Sequence, residues 1–125
     1  MATYLLNFKK QFAQAVEDGS KLQTVRQHRK DGKRIQPGDT LKLYTGLRTR
    51  GARLLRVSTA ERVMSFQLHA QSRQLIIDGR LLDITEKSDF ARADGFASFS
   101  AMADFFSDQY QLEVFEGFCV QWRAP

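Results

Sequence analysis

The stretch from Arg53 to His69 most constrains the fold, because it is long and rich in β-formers, including Val57, Thr59, Val63 and Phe66. Such residues fit a pleated, half-buried surface. It predicts strands of a curved sheet, for which the rest of the chain must supply partners. Leu41 and Leu43 alternate with Lys42 and Tyr44 directly after a Pro37-Gly38-Asp39 turn, which reads as another strand. Leu75-Ile76-Ile77 and Leu81-Leu82-Asp83-Ile84 flank Asp78-Gly79-Arg80, a hairpin signal because Asp-Gly tolerates the positive φ of tight turns. Tyr4 to Phe8 predicts a first strand, and Val114 to Trp122 a last one that completes the sheet. Gln23 to His28 also alternates, so an extended backbone there turns Val25 to the buried side and Thr24, Arg26 and His28 to the other.

Three helices complete the pattern. Lys9 to Asp18 sets Phe12 and Val16 four apart on one face and stops at Gly19. Thr85 is placed to cap a helix reaching about Ala93, and Ser98 to cap another from Phe99 to Gln109. Phe99, Met102, Phe106 and Tyr110 form one apolar stripe on the latter, which reads as core and not as a cofactor box. Strands outnumber helices, so the predicted class is α+β. At 125 residues with 42% hydrophobic content, residues 1 to 125 read as one domain. No run approaches the roughly 18 apolar residues of a membrane helix, and the N-terminus lacks a basic segment followed by a long apolar core. The expectation is a cytoplasmic protein without membrane contact. The single cysteine, Cys119, lies in Phe118-Cys119-Val120 and reads as a small buried hydrophobe. His28, His69 and Cys119 are widely separated, so no structural metal is predicted; no cofactor is implied either. Phosphate loops of the Gly-rich kind and serine elbows are absent from the sequence, which disfavours the corresponding hydrolase classes.

Charge is distributed unevenly. Between residues 21 and 56 stand eleven Lys or Arg against Asp31 and Asp39, a window of +9, whereas the whole chain carries +5. The remainder is therefore mildly acidic. Such polarity favours a polyanionic partner, the plainer reading being a solvated strand-and-loop surface. Gly46-Leu47-Arg48-Thr49-Arg50-Gly51-Ala52-Arg53 reads as a flexible basic loop suited to phosphates, with Arg29 as a further contact. Tyr44 and Trp122 are candidates for stacking on a base, and for Trp122 a core role competes with that.

Gly19-Ser20-Lys21-Leu22-Gln23-Thr24-Val25-Arg26 places an ammonium, a hydroxyl and a guanidinium at the mouth of a predicted strand. A threonine hydroxyl is a weak nucleophile until a base takes its proton, and a desolvated lysine can serve as that base. Lys21 and Thr24 fit such a pair only through a turn after Gly19; otherwise they are a surface lysine and a β-branched strand residue. Arg26 suits a bidentate contact with phosphate or carboxylate, or a structural salt bridge. Asp94-Gly95-Phe96 either brings a carboxylate to the pocket or reverses the chain after a helix.

Taken in order, Gly19-x-Lys21-x-x-Thr24-x-Arg26, Pro37-Gly38-Asp39 before Leu41-x-Leu43-Tyr44, Asp94-Gly95-Phe96 before the Phe99 to Gln109 helix, and Gly117 to Trp122 resemble the ASCH domain over nearly the whole chain. The resemblance implies a PUA-like small β-barrel flanked by helices, with a cleft floored by the Gly-x-Lys-x-x-Thr-x-Arg segment. It also implies RNA or a modified nucleoside as partner. Characterised members of the family include amidohydrolases of N4-acetylcytidine and a ribonuclease. In the amidohydrolase pattern a Lys, a Thr three residues on and a downstream Glu form the catalytic set. Lys21 and Thr24 match the first two, and Asp94, one methylene shorter than Glu, is the candidate for the third. The alternative is a non-catalytic module for single-stranded RNA.

Overall fold

The Asp-Gly hairpin forms where its chemistry requires. In the computed structural model, which describes residues 1–124, Asp78 and Gly79 both take positive φ, 51° and 78°. They connect β5 (Leu75–Ile77) to β6 (Arg80–Leu81), with Ile77 facing Arg80. The second strand of this hairpin is shorter than the expected Leu81 to Ile84. Its continuation is lost because Asp83 caps α2 (Ile84–Ala93): the Asp83 carboxylate accepts from the Glu86 N–H at 2.9 Å, and the Glu86 side chain accepts from the Asp83 N–H at 3.1 Å. This reciprocal box starts the helix earlier than a Thr85 cap would, and Thr85 lies within its first turn.

The other strands are β1 (Thr3–Phe8), β2 (Gln23–Arg26), β3 (Thr40–Thr45), β4 (Arg53–His69) and β7 (Val114–Trp122), and the other helices are α1 (Lys10–Asp18) and α3 (Phe99–Tyr110). The class is α+β. Arg53 to His69 forms one strand of 17 residues. The seven strands run in the order β1-β3-β4-β5-β6, and β7 pairs with β4 and β2. Hydrogen bonding thus branches at β4 and, among the described residues, does not close into the expected barrel. β1 and β3 are parallel, whereas β3 with β4 and β4 with β5 are antiparallel.

Two compact units divide the chain: one comprises Met1–Gln23, Ile35–Val63 and the residues from Val120 onward, the other Thr24–Arg34 and Met64–Cys119. In the first, the Pro37-Gly38-Asp39 turn is a backbone clamp. The buried Asp39 carboxylate accepts from the Ala2 and Gln36 N–H groups at 3.1 and 2.8 Å. The Gly38 N–H donates to the Ala60 carbonyl at 2.8 Å. Ser98 caps α3 as expected, accepting from the Ala101 N–H at 3.1 Å. In the second unit the α3 stripe packs into an aromatic cluster in which Phe106 and Phe115 lie 5.0 Å apart and Tyr110 and Phe115 4.7 Å apart. Cys119 is wholly buried in the same core. Trp122 is buried in the first unit, its ring edge-on to Phe8 at 5.9 Å.

Strand β2 departs from the alternation expected of it. It ends at Arg26; Gln23, Thr24 and Val25 are all buried and Arg26 is partly so, so the face of Thr24 is covered as well as that of Val25. The cause lies partly in Gly117 of β7. A Cβ built on Gly117 would stand 2.1 Å from the Arg26 carbonyl oxygen and 3.2 Å from the Gln27 Cα, so the two backbones meet where only glycine fits. Gly117→Ala is expected to destabilise the protein by about 3 kcal/mol, since backbone and not a flexible side chain must yield. Urea unfolding with unchanged m-value measures this loss, and a stability equal to that of the unmodified protein would contradict the close approach.

Candidate functional site

Helix α2 delivers Asp94 by a defined stop. Gly95 takes φ 95°, its N–H donates to the Arg92 carbonyl at 3.0 Å, and the Phe96 N–H reaches back to the Ala91 carbonyl at 2.9 Å. These are the paired bonds of a Schellman ending, completed by an apolar residue after the glycine; here Phe96 packs on the aromatic cluster. Asp94 is therefore both the chain-reversal residue and a buried carboxylate, 3% exposed.

Thr24 and Arg26 lie two apart on β2 and so share a face. The Arg26 Nε–H donates to the Thr24 hydroxyl oxygen at 3.2 Å. Burial lowers the pKa of the Arg26 guanidinium, and the nearby Tyr110 phenol and Asp94 carboxylate act in the opposite direction. Arginine remains charged through such a perturbation. Thr24 and Arg26 are thus hydrogen-bonded, and Tyr110 and Asp94 of the same unit act electrostatically on the guanidinium. Tyr110 is the residue that sequence patterning assigned wholly to the core. Its ring does pack on Phe106 and Phe115, and the available signal was a phenol at the last position of an otherwise apolar stripe.

Lys21 belongs to the first unit. Its N–H donates to the Ala15 carbonyl at 2.9 Å, beyond the end of α1 where Gly19 adopts φ 85°. The side chain is 2% exposed, and its ammonium stands over the rings of Phe12 and Phe8, 5.0 and 5.9 Å from their centroids. Desolvated cation–π contacts of this kind are worth about 2 kcal/mol.

The basic loop is ordered by its own threonine. The Thr49 hydroxyl donates to the Gly46 carbonyl at 2.6 Å and accepts from the Gly51 N–H at 3.1 Å, while the Leu47 N–H donates to Asn7 Oδ1 at 2.9 Å. These bonds tie down a segment that reads from sequence as a flexible loop. Arg48 and Arg50 are exposed on it. Arg53 pairs with Glu17 at 2.6 Å, and Arg29 with Asp31 at 3.1 Å, all on the surface. Tyr44 is half-buried on β3, facing Leu54 across a register shift. Among the described residues, no group of three or more His, Cys, Asp or Glu is placed to hold a metal ion, and no helix is long and apolar enough to cross a membrane.

No protein-family model, curated protein or solved structure matches this chain.

Removing the Asp94 carboxylate takes away an opposite charge from a desolvated guanidinium, so Asp94→Leu is expected to cost about 3 kcal/mol of stability. Adding Arg26→Met should restore part of it, giving a double variant more stable than the sum of the single losses by at least roughly 0.5 kcal/mol. Chemical denaturation of the four proteins checks the coupling. Strict additivity would show that Arg26 and Asp94 do not sense each other.

Proposed function

We propose that this chain is an ASCH-type, PUA-like domain that binds RNA or a modified nucleoside and hydrolyses N4-acylated cytidine. The observation carrying this reading is the choice of polar side chains withdrawn from water. The buried polar and charged residues are Lys21, Gln23, Thr24, Asp39 and Asp94. Asp39 is accounted for by its two backbone donors, and Gln23 accepts from the Gln121 amide at 3.1 Å. The other three are the residues that correspond to the amidohydrolase set. Burying charge costs several kcal/mol per ion, and active sites are where such costs concentrate.

The chemistry follows from the hydrogen bonding of Thr24. Because Arg26 already donates to its oxygen, the hydroxyl hydrogen is left for a base, and a guanidinium donor stabilises the developing alkoxide. In this reading the Thr24 hydroxyl gives that proton to the Asp94 carboxylate, and Thr24 Oγ1 attacks the acyl carbonyl. The amide C–N bond then breaks, and cytidine leaves with a proton relayed by Asp94. Water hydrolyses the resulting acyl ester and restores Thr24. A ribonuclease would instead use the Lys21 ammonium against negative charge developing at phosphorus.

Liberation of cytidine from N4-acetylcytidine, followed chromatographically, tests the proposal. Thr24→Val and Asp94→Asn keep volume and packing, and each is expected to lower kcat by on the order of 100-fold or more. Full turnover in either variant, with unchanged circular dichroism, would sink the catalytic reading.

A second reading, a non-catalytic module for single-stranded RNA, is favoured by the exposed Arg48 and Arg50 on an ordered loop. Titrating oligouridine at several salt concentrations should give log K falling with log salt at about 0.7 per phosphate contacted, with Arg48→Ala and Arg50→Ala each reducing the slope by nearly that amount. A slope near zero would rule out phosphate-dominated binding.

A further inference from the structure

In the second unit a groove of about 310 Å³ lies over the sheet, with His28, Ser65, Gln67, Ile76, Glu116 and Gly117 among its walls. It is at the lower end of the size range of ligand sites, roughly 300–1,000 Å³. Its floor is a row across three strands. Ile76 on β5 faces Gln67 on β4, and the Gln67 amide donates to Glu116 Oε1 on β7 at 3.0 Å. The Gln67 carbonyl is engaged by His69 Nε2 at 3.1 Å, so the amide is held at both ends. Two residues along β7 from Glu116, on the same face, Phe118 is covered by the His28 imidazole at 5.6 Å with the rings inclined by 24°. His28 is exposed, so one face of its ring rests on Phe118 and the other is open to a ligand.

We infer that this groove binds an unpaired guanine of single-stranded RNA, a conclusion that rests on the RNA-binding part of the proposed function. An imidazole backed by a phenyl ring is a stacking platform, and unpaired bases are read on their Watson–Crick edges. The carboxylate of Glu116 accepts only, with a second oxygen beyond the one bonded to Gln67. Among the four bases guanine alone presents two adjacent donors on that edge, N1–H and the exocyclic amino group, which match the two oxygens of one carboxylate. A carboxylate repels phosphates, and the same unit compensates for this immediately after His28, where Arg29, Lys30, Lys33 and Arg34 are exposed. Backbone attraction and base choice are thereby divided between adjacent groups.

The test uses the whole chain and fluorescence anisotropy with labelled oligouridine octamers carrying one central guanine, adenine or cytidine. The guanine octamer is expected to bind at least about tenfold more tightly than the others. Glu116→Gln should bring it to their level, and His28→Ala should weaken all three. Equal affinities in the unmodified protein, or a guanine preference that survives Glu116→Gln, would overturn the inference. So would displacement of the octamer by guanosine monophosphate as effective as by unlabelled octamer, since the ligand would then be a mononucleotide. A guanine preference abolished by Glu116→Gln in a protein that leaves N4-acetylcytidine intact would support the groove while removing the catalytic reading. Hydrolysis that depends on Thr24, without any guanine preference, would do the reverse.

Discussion

Backbone approach between β2 and β7 at Gly117 is the constraint on which the placement of Thr24 and Arg26 depends. With no side chain at 117, the Arg26 carbonyl occupies the space a Cβ would fill. The strand is thereby drawn in until Thr24 and Val25 are both buried. A strand buried on both faces ordinarily reads as a continuous apolar run. This one places a threonine and an arginine inside instead, and the charge then requires a counter-charge and donors nearby. The Schellman ending of α2 provides the carboxylate of Asp94, and the last turn of α3 provides Tyr110. Three backbone devices, a glycine contact, a helix stop and a capped helix, thus converge on the guanidinium.

Packing alone does not explain this expense. A buried ion pair is often no more stabilising than apolar residues of the same volume, whereas removing one partner is severe. Val25 shows that the second unit has apolar material to place on β2, since it joins the core with Met64 and Phe66. Asp39 offers the contrast: its two short bonds to backbone N–H groups fully describe a structural carboxylate that locks the chain start to a turn. Arg26 donating to a threonine hydroxyl is a different arrangement, because it polarises an oxygen that could instead have been a methyl group.

The sequence made visible those features that depend on near neighbours. Ser98, Gly19, Gly95 and the Asp78-Gly79 pair each act within four residues, and their roles follow from φ preferences and capping alone. Missteps arose where two local signals competed or a distant contact intervened. Asp83 and Thr85 are both good caps, and Glu86 decided in favour of Asp83 by completing a box. Gly46 and Gly51 suggested freedom, yet Thr49 between them closes the loop with two bonds of its own. The outward face assigned to Thr24 and Arg26 failed because alternation reports which side is apolar, not whether the other side is covered. Covering came from Gly117, about 90 residues away along the chain, and its lack of a side chain carries no local signature. Tyr110 was hidden for a related reason: its ring satisfies the helical stripe, while its electrostatic influence on Arg26 of β2 is outside what periodicity along α3 reports.

Ion pairing on the surface does not withdraw the basic residues from a polyanion. The Arg29–Asp31 and Arg53–Glu17 pairs have side chains roughly half exposed, 43%/43% and 52%/48%, and pairs of this kind contribute only about 0–1 kcal/mol. A phosphate brings more charge than a carboxylate, and neutralising it releases condensed counterions, so exchange of partners is favourable at moderate salt. The Asp31 carboxyl is held below its usual range chiefly by the Arg29 side chain, with the Lys33 N–H also donating to it. Losing Arg29 to a phosphate therefore leaves that carboxylate still bonded and exposed to water. The cost of switching is small on both sides. Arg26 differs in kind: its burial fixes it to Thr24, and no exchange of that sort is open to it. Exposure thus separates arginines that can exchange partners from the one held against a threonine hydroxyl.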